Sequence, residues 1–149
     1  MIPRRIKHEM KSWPDGWQVF PNDELVFIII DDLDVESLVL TIDFKKAVSY
    51  PFRPPHVLCN NEELISFYAK MFSIDNELQN DMINLSKKQC WCCDTILCKN
   101  NWSVGNKITD IVDEFKFLYK IKKRAIERKW AKIISRECLI EDIPIFSFL

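Results

Sequence analysis

Residues 50–57 read Tyr-Pro-Phe-Arg-Pro-Pro-His-Val, and this run constrains the fold more than any other stretch of the chain. Proline lacks an amide hydrogen and has a fixed φ, so a segment holding Pro51, Pro54 and Pro55 cannot be a helix or a central strand. The run must be a fixed loop. The chain changes character across it: residues before the run are patterned for strands, and residues after it for helices.

Upstream lie three runs rich in β-branched and aromatic residues, 17–20, 25–30 and 37–44. They are separated by Pro21-Asn22-Asp23 and by the acidic stretch 31–36, which reads as an antiparallel meander. In the last run Leu38, Leu40, Ile42 and Phe44 fall on one face, opposite Val39, Thr41 and Asp43, so that strand is expected to be half buried. Downstream, residues 62–84 have helical spacing through Leu64, Ile65, Tyr68 and Phe72, then Leu78, Met82 and Leu85, with a possible break at 73–76. Ile108, Ile111, Val112, Phe115, Leu118 and Ile121 form a strong helical stripe, which a second helix prolongs or succeeds through Ile126, Trp130, Ile133 and Ile134. The tail 139–149, with Pro144, is apolar enough to pack back on the body.

At the other end, residues 3–12 open with Pro3, favourable in a first helical turn, and set Ile2, Ile6 and Met10 on one apolar face. Arg4, Lys7, His8 and Lys11 make the other face basic. Trp13-Pro14-Asp15-Gly16 then ends the helix in a turn. The order predicts an α+β domain with helices grouped outside an antiparallel sheet.

At 149 residues with 48% hydrophobic and 29% charged, the chain suits one domain over 1–149. Its expected parts are an N-terminal helix (1–12), the meander and proline loop (17–57), an insert with a cysteine segment (58–103), and C-terminal helices with the tail (104–149). The formal net charge of −1 gives no global attraction to nucleic acid or to acidic membranes. No apolar run approaches the roughly 18 residues of a membrane span, and the N-terminus lacks the pattern of a secretory signal. Four of six cysteines crowd into residues 90–98 without an export signal. They read as thiols of a reducing, cytoplasmic compartment and not as a disulfide framework.

The proline run closely resembles the Tyr-Pro-Phe-Lys-Pro-Pro-x-Val loop of ubiquitin-conjugating enzymes. Cys92-Cys93-Asp94-Thr95-Ile96-Leu97 resembles the Cys-Leu-Asp-Ile-Leu of that family's catalytic cysteine, and Asn101-Trp102-Ser103 resembles its Trp-Ser pair shortly downstream. The resemblance implies the UBC-like fold and a thioester carrier of ubiquitin or a ubiquitin-like protein, with Cys92 as nucleophile, Cys93 as the alternative and Asp94 beside it. Thiolates suit the task because they are both good nucleophiles and good leaving groups, without metal or cofactor. Asn84 stands eight residues before Cys92, where the family places an oxyanion-stabilising Asn within His-Pro-Asn. The His-Pro is absent here, and Val104-Gly105 replaces the family's Pro-Ala. By the same resemblance, Arg4, Arg5, Lys7 and Lys11 would dock a ubiquitin-activating enzyme, and the loop of Phe52 would meet a ubiquitin ligase. The cysteine segment looks like that of divergent conjugating enzymes from protists or large DNA viruses, whose place would be the cytoplasm, the host's in the viral case.

Plainer readings compete. Cys92 could be a buried structural thiol. Cys90, Cys92, Cys93 and Cys98 could bind zinc in an interaction module, although adjacent Cys92 and Cys93 are expected to point apart. A UBC-like variant could bind ubiquitin or a partner without forming a thioester. His56, in the proline loop, is not expected to act as a protease histidine. Phe52 is read as partly core, and Trp102 and Trp130 as packing residues.

Overall fold

The computed structural model describes residues 3–20, 23–30, 37–46, 49–72 and 75–141, with side chains through 136. Helix α1 (Arg4–Glu9) starts after Pro3 and tightens into a 3₁₀ turn, Met10–Ser12. That tightening alters the predicted face. Ile6 is fully buried, but the partner that turns inward with it is Glu9, while Met10 swings out to 36% exposure. Trp13 is extended, as a residue before proline should be, and Gly16 closes the turn at φ +97°.

The meander comes next as β1 (Gln18–Phe20), β2 (Leu25–Ile30) and β3 (Leu38–Asp43), then β4 (His56–Cys59) and β5 (Glu62–Glu63), in a five-stranded antiparallel sheet of order 1-2-3-4-5. The register aligns one apolar face across the sheet: Val26 opposes Ile42, Ile28 opposes Leu40, and Leu40 and Ile42 oppose Cys59 and Val57. The expected alternation holds, with Leu38, Leu40, Ile42 and Phe44 all buried. Residues 56 and 57 leave the predicted loop, however. Once past Pro55 the chain has amide hydrogens again, and it pairs with β3 at once. Asn60 and Asn61, both at positive φ, make the tight hairpin into β5.

The helical stretch read from residues 62–84 is two helices, parted within the expected break at 73–76. They are α2 (Leu64–Phe72) and α3 (Asn76–Ser86), and Asp75 starts the second by accepting from Leu78 N at 2.7 Å. The long stripe becomes one continuous helix, α4 (Ile108–Glu141), whose 34 residues span about 51 Å. Leu64, Tyr68 and Met71 of α2, Leu78 and Met82 of α3, and α4 as far as Ala125 share one apolar core with the buried face of the sheet and with Ile6. Trp130 lies beyond this core and is 59% exposed, so it does not pack as expected. Among the described residues no helix is long and apolar enough to cross a membrane. The acidic stretch 31–36 and the tail 142–149 lie outside the described residues.

Candidate active site

Residues 87–103 form a succession of turns between α3 and α4. Lys87 ends α3 in the left-handed conformation, its amide donating to Ile83 O. Beyond it, Trp91 is the anchor. Its ring is fully buried 5.7 Å from that of Phe72, and its Nε1 donates to Ser86 Oγ at 3.1 Å. With Trp91 committed inward, its neighbours Cys90 and Cys92 lie part-exposed, and Cys93 is exposed.

Asp94 closes the turn. Its Oδ2 accepts from the amides of Gln89 (2.9 Å) and Cys90 (3.1 Å), while its own amide donates to Cys90 O at 2.8 Å. Lys88 Nζ donates to Asp94 O at 3.0 Å. Asn101 ties the far side by donating to the carbonyls of Cys93 (2.8 Å) and Thr95 (3.0 Å). From α4, Glu114 accepts from the hydroxyl of buried Thr95 and from Ile96 N at 3.1 Å. Trp102 then reaches the proline loop. Its Nε1 donates to Pro51 O at 2.8 Å, and its ring lies 6.0 Å from that of Tyr50.

Within this frame three sulfurs converge. Cys90 Sγ is 3.1 Å from Cys92 Sγ, Cys92 Sγ is 3.9 Å from Cys93 Sγ, and all three lie within 4.8 Å of one another. The expectation that Cys92 and Cys93 point apart fails because the chain is turning there and is neither strand nor helix. Cys98 stays outside the group. The three thiols are not equivalent. Burial alone would raise the Cys90 pKa, but hydrogen bonds from the Cys92 and Cys93 thiols and from their backbone amides hold it below the ordinary thiol value. The Cys92 thiol is pushed up to about 12, first by its bond to Cys90 and then by burial. Cys93 is raised, chiefly by Cys90. The cluster thus favours ionisation of Cys90 over that of Cys92, the position that the motif selects.

The other candidates from the sequence scatter. Asn84 is exposed on α3, and among the described residues no hydrogen bond joins it to the cysteine turn. Phe52 is 77% exposed and is not core. Arg4 and Lys7 are exposed on α1 and Lys11 on the 3₁₀ turn that follows it, but Arg5 turns inward to pair with Glu9 at 3.0 Å and to donate to Val104 O and Asn106 O. His56 begins β4, its Nε2 3.3 Å from Glu63 Oε1. A groove of about 520 Å³ between α2 and α4, lined by Phe67, Met71, Tyr119 and Ile126, contains no residue of the cysteine turn.

Two carboxylates escape a reading of the sequence, Glu9 and Glu114. Buried Glu9 accepts from Arg5, from Tyr50 OH (2.5 Å) and from Ile108 N (3.0 Å), joining α1, the proline loop and the start of α4. The burial of Tyr50 and its bond to Glu9 hold the phenol well above its usual pKa, so it remains a donor. Each carboxylate lies three residues after an apolar one, Ile6 or Ile111, but the apolar residue at the fourth position, Met10 or Phe115, is the one that spacing selects. The chain matches no family model, no curated protein and no solved structure, so the geometry of the proline loop, Trp102 and the cysteine turn is what bears on function.

Proposed function

We propose that the chain is a divergent ubiquitin-conjugating enzyme, carrying ubiquitin or a ubiquitin-like protein as a thioester on the cysteine turn and passing it to a lysine. One observation carries this reading. The hydrogen bond from Trp102 Nε1 to Pro51 O joins the two motifs on which the resemblance rests, 51 residues apart in sequence, in the segment that bears the cysteines. Their setting also suits it: an N-terminal helix, an antiparallel meander and a C-terminal helix around one core.

In the first step a cysteine thiolate attacks the thioester carbonyl at the modifier's C-terminus on its activating enzyme. A new C–S bond forms and the activating enzyme's thiolate leaves. In the second step a neutral lysine amine attacks the same carbon. The C–N bond forms, the cysteine leaves as thiolate, and the amine's proton passes to solvent. Cys92 is the motif's nucleophile, with Cys93 the alternative. Asp94 acts by shaping the turn, as its bonds to two backbone amides fit. Arg4, Lys7 and Lys11 offer a basic face for the activating enzyme, and the protruding Phe52 ring an apolar contact for a ligase. The working compartment on this reading is the cytoplasm.

A second reading has its own support. Among the described residues no hydrogen bond joins exposed Asn84 to the turn, and the Cys92 thiol is pushed up to about 12, which suits a UBC-like domain that binds modifier or partner without charging. The deciding experiment is a charging assay with ubiquitin, activating enzyme and ATP, read on gels with and without reductant. A reductant-sensitive adduct lost in Cys92→Ser is expected, and loss only in Cys93→Ser moves the nucleophile by one residue. No adduct with a panel of activating enzymes and modifiers replaces the enzyme reading with the binding one.

A further inference from the structure

The sulfurs of Cys90, Cys92 and Cys93 form a triangle that the surrounding fold holds in place. Trp91, buried between the first two cysteines, fixes the backbone on either side of it. The Asp94 carboxylate fixes the amides of Gln89 and Cys90, and Asn101 fixes the carbonyls of Cys93 and Thr95. None of these restraints uses a sulfur. Outer groups that orient donors without consuming them are what a metal site requires.

One edge of the triangle already has the dimension a metal needs, and another is shorter. Tetrahedral thiolate coordination with metal–sulfur bonds of about 2.3 Å places sulfurs about 3.8 Å apart. The Cys92–Cys93 edge is 3.9 Å, and the Cys90–Cys92 edge of 3.1 Å would open modestly around an ion. Among the described residues no imidazole or carboxylate oxygen belongs to the group. An all-sulfur donor set selects thiophilic ions over magnesium or calcium. Cys98, the fourth thiol in the segment, is not within reach, so the set is not a closed four-cysteine site. With three protein sulfurs the fourth position falls to a solvent or external ligand, to which the exposure of Cys93 gives access. Three thiolates around a dication carry one net negative charge, which solvent at this exposed turn can screen.

We propose that Cys90, Cys92 and Cys93 form a three-thiolate site for a thiophilic d¹⁰ cation of the zinc class, open at its fourth position. The metal and a thioester would compete for the sulfurs of Cys92 and Cys93, so the metal-loaded turn does not charge and only the stripped turn can.

The test uses full-length chain, purified with reductant and stripped with chelator, then titrated with zinc chloride against a chromophoric chelator and separately with cobalt chloride. One equivalent of zinc binds, and cobalt gives a thiolate charge-transfer band. Cys90→Ser, Cys92→Ser and Cys93→Ser each weaken zinc binding by at least about tenfold, and Asp94→Asn, which loosens the turn, weakens it by roughly tenfold. Cys98→Ser and Cys59→Ser bind as the wild type does. Substoichiometric zinc, a missing charge-transfer band, or weakening by Cys98→Ser equal to that by Cys90→Ser would overturn the site. Charging assays on the metal-stripped chain separate the two readings: zinc binding without charging of the stripped chain removes only the enzyme, and charging without zinc binding removes only the metal site.

Discussion

The Glu9 junction and the cysteine turn both lean on the proline loop, through Tyr50 and Pro51 respectively, yet they distribute their polar groups in opposite ways. At Glu9 both carboxylate oxygens are taken by the fold: one by Arg5 and Tyr50, the other by the first amide of α4. A helix N-terminus favours such a negative partner, and burial makes each bond costly to lose. At the cysteine turn the fold is served by Trp91, Asp94, Thr95, Asn101 and Glu114, and the sulfurs bond one another. A group that the architecture does not use is available for chemistry, and here that marks the thiols.

Breaking the junction should have the largest effect. Glu9→Ala leaves Arg5, Tyr50 and the Ile108 amide without their acceptor and is expected to cost about 3–5 kcal/mol in urea unfolding. Glu9→Gln keeps an acceptor for Tyr50 and should lose less; a loss under about 1 kcal/mol for Glu9→Ala would mean that the junction organises nothing. Next comes the anchor of the other region. Trp91→Phe removes the bond to Ser86 and some packing volume, for an expected cost of about 1–2 kcal/mol, and it should speed alkylation of the neighbouring thiols by loosening the turn. Smaller still is Cys93→Ser, which should change stability by no more than about 0.5 kcal/mol while removing the exposed thiol of the three. If that substitution destabilised the chain as Trp91→Phe does, the division between frame and sulfurs would collapse.

The mildest test lies outside both regions. Asp75 caps α3 and pairs with Lys129 of α4, and these bonds hold its carboxyl below the usual carboxylate pKa. Because the folded pKa lies below the unfolded one, Asp75 stabilises the fold above the unfolded value of about 3.9 and loses that contribution as pH falls through the folded value. The stability difference between wild type and Asp75→Asn should therefore be present at neutral pH and shrink towards zero on acidification below about pH 4. A difference constant across that range would assign the effect of Asp75 to something other than its charge.

Much of this architecture is legible in the sequence, for identifiable reasons. A period of two with one buried face leaves little freedom, so β2 and β3 can be read almost residue by residue. The break between α2 and α3 is readable because Asp75 is a capping residue. Glu9 is not legible, since positions three and four after Ile6 face the same side and the apolar choice, Met10, is the natural one; only the 3₁₀ turn decides otherwise. Phe52 and Trp130 are misplaced by a sequence reading because residue type says what burial would gain, not whether a neighbour is present. The cysteines are legible as a cluster in sequence, but their convergence depends on Trp91, Asp94 and Asn101 bending the chain, which spacing alone does not encode.

Helix α4 is continuous in its backbone but not in its support. After Ala125 none of the residues 126–136 is fully buried, and ion pairs from Lys129 to Asp75 and from Lys132 to Glu77 tie that half to the start of α3. Amides in the first half are expected to exchange with solvent through opening of the whole molecule, and those in the second through local fraying, which hydrogen exchange along the helix would read. One rod of secondary structure is thus two cooperative units, and its seam falls at the edge of the core.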